Sequence, residues 1–274
     1  MLIFVKIYVL ISVIREFPEH VMALQTIEKR REGILTIAYE HGHVNVKDLS
    51  QSLDMSEATI RRDLHGLSDE GLLELTHGGA RVVKNSDHSF LSKSMRNIAS
   101  KKIIASLAAE RVKDGDQIFL DSGTTCFQMT SFLRTKRSLC VIVHSIRTAQ
   151  ELQTPGTKVL IPGGQYRPDR MDTTGPMAME SLEKLRGYDA FIGCDGLSMD
   201  CGPTSVDIES AHLLRLAAKN ARQAYLLADS SKFGHPTLYK VAEIESFTNV
   251  ITEKKPSPEW LSYFAEKNIN VIYP

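Results

Sequence analysis

The stretch "ATIRRDL" (residues 58–64) combines the apolar spacing of a partly buried helix with two adjacent arginines. At about 100° per residue, a helix places Ile60, Leu64 and Leu67 on one side and Arg62 on the opposite side. One face can therefore enter a core while the other presents guanidinium groups. This pattern suits a solvated surface helix or a helix that enters a DNA groove, so the flanking sequence has to decide.

The flanking sequence predicts three short helices followed by a two-stranded ribbon. The first helix lies within residues 26–42, and the second begins at Asn45, which is suited to cap it. Ser56 is suited to cap the third helix, because serine side chains accept hydrogen bonds from the first amides of a helix. The strand-like runs "LLEL" and "ARVV" follow, joined by "THGG", whose glycines permit a tight turn. This order indicates a winged helix-turn-helix.

A recognition helix contacts bases and phosphates through its N-terminal part, where arginine contributes both kinds of contact. The candidates for base edges are Ser56, Glu57, Thr59 and Arg62, with Arg61 for a phosphate and residues 29–31 for further backbone contacts. The net charge of this segment argues against DNA binding. Residues 26–84 hold eight Lys/Arg and ten Asp/Glu, which gives 8 − 10 = −2 before histidines, and the whole chain has a net charge of zero. DNA binding must therefore depend on local basic clusters or on dimerisation.

The motif "S.ATIRRDL..L...GLL...HGGA" closely resembles the DNA-binding segment of the DeoR family of bacterial transcriptional regulators. The resemblance implies a winged helix that binds operator DNA with the "TIRRDL" helix in the major groove. It makes Thr59, Arg61 and Arg62 the first DNA-contacting candidates, and His77 in the ribbon turn is a further one. Gly66 departs from a good helix sequence, since a mid-helix glycine costs ~1 kcal/mol relative to alanine, and it is expected to loosen the helix end.

A polar, unpatterned segment, "KNSDHS" (84–89), marks the predicted boundary between a winged helix at 22–84 and a larger domain at 85–274. Beyond it, short apolar strands alternate with helices, which indicates an α/β domain with a mainly parallel sheet covered on both faces. The predicted strands are "QIFL", "CVIV", "KVLI", "AFIG", "AYLLA", "VIT" and "NINVIY", and the main predicted helices are 124–134, 145–152, 205–220 and 258–267.

Two features of the sequence bear on location. Residues 1–21 begin with an apolar run that Lys6 interrupts; it is shorter than the ~20 residues that span a bilayer and lacks a small-residue cleavage site. We expect an extension outside the fold, with a weak membrane anchor as the alternative. The four cysteines form neither a disulfide framework nor a zinc pattern, so reduced thiols in a cytoplasmic protein are expected.

Four polar loops follow predicted strands, where ligands bind in an open parallel sheet. They are "DSGTT", "PGGQYR", "GCDG" and "DSSKFG". The Ser-Gly-Thr-Thr turn offers backbone N–H groups, hydroxyls and a helix N-terminus, which together suit a phosphate.

These loops also resemble, in the same order over residues 90–252, the effector domain of the DeoR family. That domain is similar in fold to ribose-5-phosphate isomerase and senses phosphorylated sugars or related metabolites. The resemblance implies that Ser122, Gly123, Thr124 and Thr125 hold phosphate, that Gly163 and Gly164 allow close backbone approach, and that Asp195 and Lys232 line the site. Asp121 and Arg167 belong to the same loops and complete the effector-binding set, with Asp229 orienting its loop.

The chain departs from the family pattern at two positions. Family members carry a Thr-Asn pair where this chain has Val143–His144, so His144 is a candidate effector contact or pH-sensitive group; a satisfied loop histidine is the alternative. Leu214 stands where a lysine is expected. Both changes point to a differently shaped effector.

An enzyme is the rival interpretation. Aldose–ketose isomerisation needs a base beside a carbonyl and a donor for the developing oxyanion. The isomerases carry "DGADE"-like and "KGGG" loops, whereas this chain has "GCDGL" and no "KGGG". The missing loops argue against catalysis, and the resemblance to the DeoR family implies a non-enzymatic repressor of a carbohydrate-utilisation operon, for which no metal or cofactor is expected. Its expected partners are double-stranded operator DNA, a phosphorylated sugar and further copies of itself in a dimer or tetramer. A DNA-binding protein without any ligand is the third interpretation.

Overall fold

The computed structural model describes Ile27, Arg30, Arg31 and residues 33–38, 41–69, 71–82 and 90–274. The chain divides into two compact units, Met1–Arg96 and Asn97–Pro274. The predicted boundary at 84–89 and the predicted extension at 1–21 both lie outside the described residues, so both stay predictions.

The N-terminal unit has the predicted winged helix-turn-helix order. After helical residues 33–38, its elements are β1 (His43–Asn45), α1 (Val46–Ser52), α2 (Glu57–Asp69), β2 (Leu73–Thr76), β3 (Gly79–Val82) and α3 (Phe90–Met95). The strands form an antiparallel sheet in the order β1-β3-β2. The ribbon therefore has one more strand than the sequence predicted, because β1 is a three-residue run without a strand-like pattern.

The core of this unit confirms the helical periodicity of the opening stretch. Ile60, Leu64 and Leu67 of α2 are all buried and pack with the first helix, α1 and β3 in one cluster. The predicted cap at Asn45 is also confirmed, since its side chain accepts a hydrogen bond from the Lys47 amide at 2.9 Å.

The C-terminal unit alternates strands and helices as predicted. Its elements up to the middle of the sheet are α4 (Ile98–Ala109), β4 (Gln117–Leu120), α5 (Thr124–Phe127), α6 (Met129–Leu133), β5 (Cys140–Val143), α7 (Ile146–Glu151), β6 (Lys158–Leu160), β7 (Gln165–Arg167), β8 (Asp172–Thr174) and α8 (Pro176–Glu183). The remainder comprises β9 (Asp189–Gly193), β10 (Gly196–Ser198), β11 (Gly202–Ser205), α9 (Ile208–Asn220), β12 (Gln223–Leu227), β13 (Tyr239–Lys240), β14 (Asn249–Ile251), α10 (Pro258–Glu266) and β15 (Asn270–Ile272).

The central sheet has seven strands in the order β15-β14-β12-β9-β4-β5-β6, and every neighbouring pair is parallel. Successive strand residues point to opposite faces: Phe119 joins one apolar cluster with α8, α9 and α10, whereas Ile118 and Leu120 join another with α4, α5 and α6. Helices therefore cover both faces, as predicted. The strand order reverses direction between β4 and β9, which places the topological switch point there.

Some predicted boundaries were wrong. The single helix expected at 124–134 is two short helices, α5 and α6, separated at Gln128. The helix α8, the antiparallel pair β7–β8 and the three-stranded antiparallel sheet β10–β11–β13 were not predicted. Within the described ranges, no helix combines the length and apolar character that a membrane crossing needs.

Candidate functional sites for DNA and effector

Asp63 anchors the recognition helix α2 from within the "TIRRDL" motif. Its carboxylate is buried, and Arg30 donates to it through Nε at 2.5 Å and Nη2 at 3.1 Å. Nε of Arg31 lies 3.6 Å from the same carboxylate. The sequence assigned these two arginines to DNA backbone contacts, but their guanidinium groups are held by Asp63. These contacts therefore hold the first helix against α2.

Gly66 makes room for this anchor. A Cβ atom at residue 66 would lie 2.1 Å from Nη2 of Arg31, so glycine lets the guanidinium group lie directly on the helix. The helix α2 continues past Gly66 to Asp69; the expected loosening of its end stays a prediction.

The N-terminal part of α2 carries the predicted DNA contacts: Ser56, Arg61 and Arg62 are exposed, and Glu57 and Thr59 are half-buried. Ser56 caps the helix as predicted: its Oγ accepts from the Thr59 amide at 3.2 Å and lies 2.9 Å from Oγ1 of Thr59. Glu57 accepts a hydrogen bond from Arg61 at 2.8 Å. Arg62 is exposed and has no acidic partner among the described residues. Of the two adjacent arginines, Arg62 is thus ready for a base or phosphate, whereas Arg61 has first to leave Glu57.

The wing places His77 at its tip. Thr76 pairs with Gly79, so the turn between β2 and β3 consists of His77 and Gly78. Gly78 has a φ of +83°, and a Cβ at Gly79 would lie 2.0 Å from the Val44 carbonyl oxygen. Gly78 therefore permits the tight turn as predicted, whereas Gly79 allows the close approach of β3 to β1, and the His77 side chain is exposed.

The second candidate site lies at the carboxyl ends of β4 and β9, where the strand order reverses. Asp121 follows β4; its amide donates to the Phe191 carbonyl, and its Oδ2 accepts from the Gly193 amide, each at 3.0 Å. Burial raises the pKa of Asp121 to about 6, against the opposing effect of the amides of Gly193, Ser122 and Gly123. This carboxylate joins the "DSGTT" and "GCDG" loops at the position where open parallel sheets bind ligands.

The "DSGTT" turn presents its backbone and hydroxyls at this edge. Ser122 and Gly123 are partly exposed, whereas Thr124 and Thr125 are 9% exposed. A Cβ at Gly123 would lie 3.0 Å from Oδ2 of Asp121, so a side chain there would crowd the carboxylate. Because α5 has only four residues, any anion here depends on direct hydrogen bonds more than on a long helix dipole.

Lys232 approaches the same edge from β12. It ends a short 3-10 turn, Ser230–Lys232, that the buried Asp229 caps by accepting from the Ser231 amide at 3.0 Å; this is the loop-orienting role predicted for Asp229. The positive charge of Lys232 acts on the half-buried Cys194 of the "GCDG" loop, where desolvation of the thiol raises its pKa and Lys232 opposes that rise. Among the described residues, Lys232 has no ion-pair partner.

The Asp195 carboxylate forms hydrogen bonds within the protein. Its Oδ2 accepts from the Val206 amide at 2.9 Å and from the Ser205 hydroxyl at 3.3 Å. These bonds fix the strand β11 and the start of α9 beside the "GCDG" loop.

His144 is an unsatisfied histidine. It is fully buried and stacks on Phe119, with 5.9 Å between ring centroids. Neither ring nitrogen has a hydrogen-bond partner within the described part of the chain, although Nε2 lies 3.9 Å from Oδ1 of Asp121. Burial lowers the pKa of His144 to about 4. The described residues therefore give no support to the alternative of a satisfied loop histidine.

The guanidinium group of Arg167 donates hydrogen bonds to carboxylates. It donates twice to Asp172 at 2.8 Å and also to Asp207 at 2.9 Å and Glu209 at 3.1 Å. Burial alone would lower the pKa of Arg167, but the hydrogen bonds to Asp172 and Asp207 raise it above its ordinary value. This network favours Lys232 over Arg167 as the cation of the site.

The two glycines of the "PGGQYR" loop differ in how closely other atoms approach them. Gly163 and Gly164 both have positive φ. A Cβ at Gly164 would lie 2.4 Å from the Thr174 carbonyl oxygen, whereas one at Gly163 would meet nothing within 4 Å. Gly164 is needed for packing, and Gly163 alone leaves space for a ligand.

The structure thus brings the "DSGTT", "GCDG" and Lys232 segments to one edge and commits Arg167 elsewhere. Sequence reasoning missed Asp63, although its place between Arg62 and Leu64 on a helix with arginines upstream was a usable signal. It also missed Asp172 and Asp207, because their pairing with Arg167 spans separate elements. Within the described residues, no group of His, Cys, Asp and Glu side chains is arranged to hold a metal ion.

A winged helix-turn-helix joined to a parallel-sheet domain with a polar edge defines a DNA-binding transcriptional regulator with a sensor domain. The family comparisons agree: residues 30–86 match the DeoR-like helix-turn-helix domain and residues 96–254 match the DeoR C-terminal sensor domain. The chain belongs to the DeoR family of transcriptional regulators.

Relatives extend over almost the whole chain. An uncharacterised HTH-type transcriptional regulator of Bacillus subtilis (strain 168) is 31% identical over 89% of this chain and 96% of its own length. The lactose phosphotransferase system repressor of Lactococcus lactis is 31% identical over 87% of this chain and 96% of its own length. An HTH-type transcriptional repressor of Escherichia coli (strain K12) is 28% identical over 89% and 95%.

Solved structures with partial likeness include a D-ribose-5-phosphate isomerase in complex with phospho-erythronic acid. It is 14% identical, covers 48% of this chain and 52% of its own, and has a TM-score of 0.37.

Proposed function

We propose that this chain is a repressor of a carbohydrate-utilisation operon that a phosphorylated sugar releases from operator DNA. The observation that carries the effector part is the hydrogen bond from the Gly193 amide to Asp121. It holds the "DSGTT" and "GCDG" loops together at the switch point of the sheet, where ligands bind in this class of fold. The family membership and the relatives named as repressors support the regulatory part.

The proposed effector site matches a sugar phosphate in charge and hydrogen bonding. A phosphate monoester carries roughly two negative charges at neutral pH, and Lys232 is a cation without an ion-pair partner among the described residues. Ser122, Thr124 and Thr125 supply hydroxyls, and the Ser122–Gly123 backbone supplies amides. In this proposal His144 and Gly163 shape the space for the sugar, and Asp121 and Asp195 hold the loops rather than the ligand.

The proposed DNA site is the N-terminal part of α2 with the tip of the wing. Arg62 reads a base edge, Arg61 binds a phosphate after exchanging its contact with Glu57, and Ser56, Thr59 and His77 add polar contacts. The N-terminal segment has no net positive charge, so one winged helix binds weakly. We therefore propose a cytoplasmic dimer or tetramer that places two recognition helices on a symmetric operator.

The experiment is a thermal-shift screen of the full chain against aldose and ketose phosphates, with each unphosphorylated parent sugar as the matched control. A ligand at 100 times its Kd stabilises the protein by ~2.7 kcal/mol, which raises the melting temperature measurably. The ligand found should then release a duplex selected from a random-sequence library by the wild-type chain. Stabilisation by the parent sugar alone would contradict the phosphate assignment, and ligand binding without any change in DNA affinity would contradict the repressor model.

A further inference from the structure

Asn97 is the first residue of the C-terminal unit, and its backbone is in the left-handed conformation, with φ 55° and ψ 36°. Non-glycine residues adopt this conformation at a cost, and asparagine tolerates it better than most. Its side chain does not cap the helix α4 that follows. The asparagine is therefore held in a costly conformation at the point where the chain enters the sensor unit.

The side chain of Asn97 bonds instead to the turn that carries Lys232. Its Nδ2 donates to Oδ1 of Asp229 and to Oγ of Ser231, both at 3.2 Å. Asp229 in turn accepts from the amide and the hydroxyl of Ser231, and its carbonyl accepts from the Lys232 amide at 2.9 Å. One short chain of hydrogen bonds thus links the entry of the unit to the proposed effector cation.

The turn also borders open space. The residues that line a cavity of about 470 Å³ include Asn97, Ser230 and Ser231, together with residues 252–257 and Trp260. The second anchor of the turn is Glu253, which accepts from the Ser230 amide at 3.0 Å. The turn is therefore held by hydrogen bonds next to a cavity and not by close packing on that side, which leaves room for it to shift.

We propose that Asn97 is a positioning residue that couples effector binding at Lys232 to the affinity of the DNA-binding unit. A ligand changes affinity at a distant site only through contacts that differ between two states. The bonds from Asn97 to Asp229 and Ser231 are those contacts: they hold one position of the turn, and movement of Lys232 onto a phosphate breaks or remakes them. This inference rests on the function proposed above.

The experiment compares Asn97→Gly with Asn268→Gly in the full chain. Both asparagines have positive φ, so glycine keeps the backbone conformation in both variants. Only Asn97 loses side-chain hydrogen bonds to another loop, since the Asn268 side chain makes none among the described residues. The readout is the coupling factor, which is a ratio of two Kd values for the library-selected operator. The first Kd is measured with a saturating sugar phosphate from the thermal-shift panel, and it is divided by the Kd measured without the sugar phosphate.

Asn97→Gly should lower this factor about five- to tenfold, a substantial part of the usual range for allosteric coupling, while its melting temperature and its operator Kd without ligand stay near the wild-type values. Asn268→Gly should leave the factor unchanged. An unchanged factor in a folded Asn97→Gly overturns the inference, as does an equal loss in both variants. If Asn97→Gly fails to fold, Ser231→Ala removes one of the same bonds and takes its place. A wild-type factor of one with every sugar phosphate refutes the proposed function itself, which separates the two failures.

Discussion

Asp121 and His144 are expected to make opposite and nearly cancelling contributions to the pH dependence of stability. The two groups are buried 3.9 Å apart. Burial raises the pKa of Asp121 from 3.8 to about 6 and lowers the pKa of His144 from 6.5 to about 4. Between pH 4 and 6 the folded state therefore holds its proton on Asp121, whereas the unfolded state holds its proton on the histidine. The number of bound protons is the same in both states, so this pair gives little slope.

Substituting Asp121 or His144 alone should reveal the pH dependence that the other group contributes to the unfolding free energy. The contribution of Asp121 is complete below pH 3.8 and is lost as pH rises through 6; that of His144 is complete above pH 6.5 and is lost as pH falls through 4. One pKa unit corresponds to ~1.4 kcal/mol, so each contribution amounts to roughly 3 kcal/mol. Relative to wild type, Asp121→Asn should therefore gain stability as pH rises from 4 to 6, and His144→Gln should lose it.

The assay is the urea-unfolding free energy of the full chain at half-unit pH steps from 4 to 7. The double variant Asp121→Asn/His144→Gln is the matched control, because it lacks both protons and should run parallel to wild type. Asp172, Arg167, Asp207 and Asp195 also act on these two groups, but they remain present in every variant. Single variants that run parallel to wild type between pH 4 and 6 would refute the assignment of opposite contributions to this pair.

Three further predictions concern effector binding, DNA binding and the stability of the DNA-binding unit. Lys232→Met should weaken sugar-phosphate binding by ~1.5–3 kcal/mol, the usual value for a hydrogen bond to a charged group. Calorimetry measures this change, with Lys219→Met as the control, and an unchanged affinity would show that another residue supplies the positive charge. Arg62→Ala should weaken operator binding by ~1–3 kcal/mol with little loss on random DNA, whereas Arg61→Ala should weaken both about equally and flatten the salt dependence measured by anisotropy. Asp63→Ala leaves the Arg30 guanidinium without its buried acceptor, so it should lower the unfolding free energy by ~1–3 kcal/mol; a melt identical to wild type would show that the anchor is dispensable.

The sequence by itself determined the order of elements and most of their positions. The period of Ile60, Leu64 and Leu67 placed one face of α2 in a core, and the runs "QIFL" and "CVIV" coincide with β4 and β5. Both results follow from local periodicity and from short apolar runs between turns, which neighbouring residues specify without long-range contacts. The loops at strand ends were visible for the same reason.

Only the tertiary structure decided what the charged and polar side chains do. Arg30 was predicted to contact DNA and is held by Asp63, 33 residues away; Arg167 belongs to the predicted effector set and lies within a carboxylate network that reaches across 42 residues to Glu209. Burial likewise set the pKa values of Asp121 and His144. Pairing partners and desolvation depend on which distant segments the fold brings together, and periodicity along the chain carries no record of that.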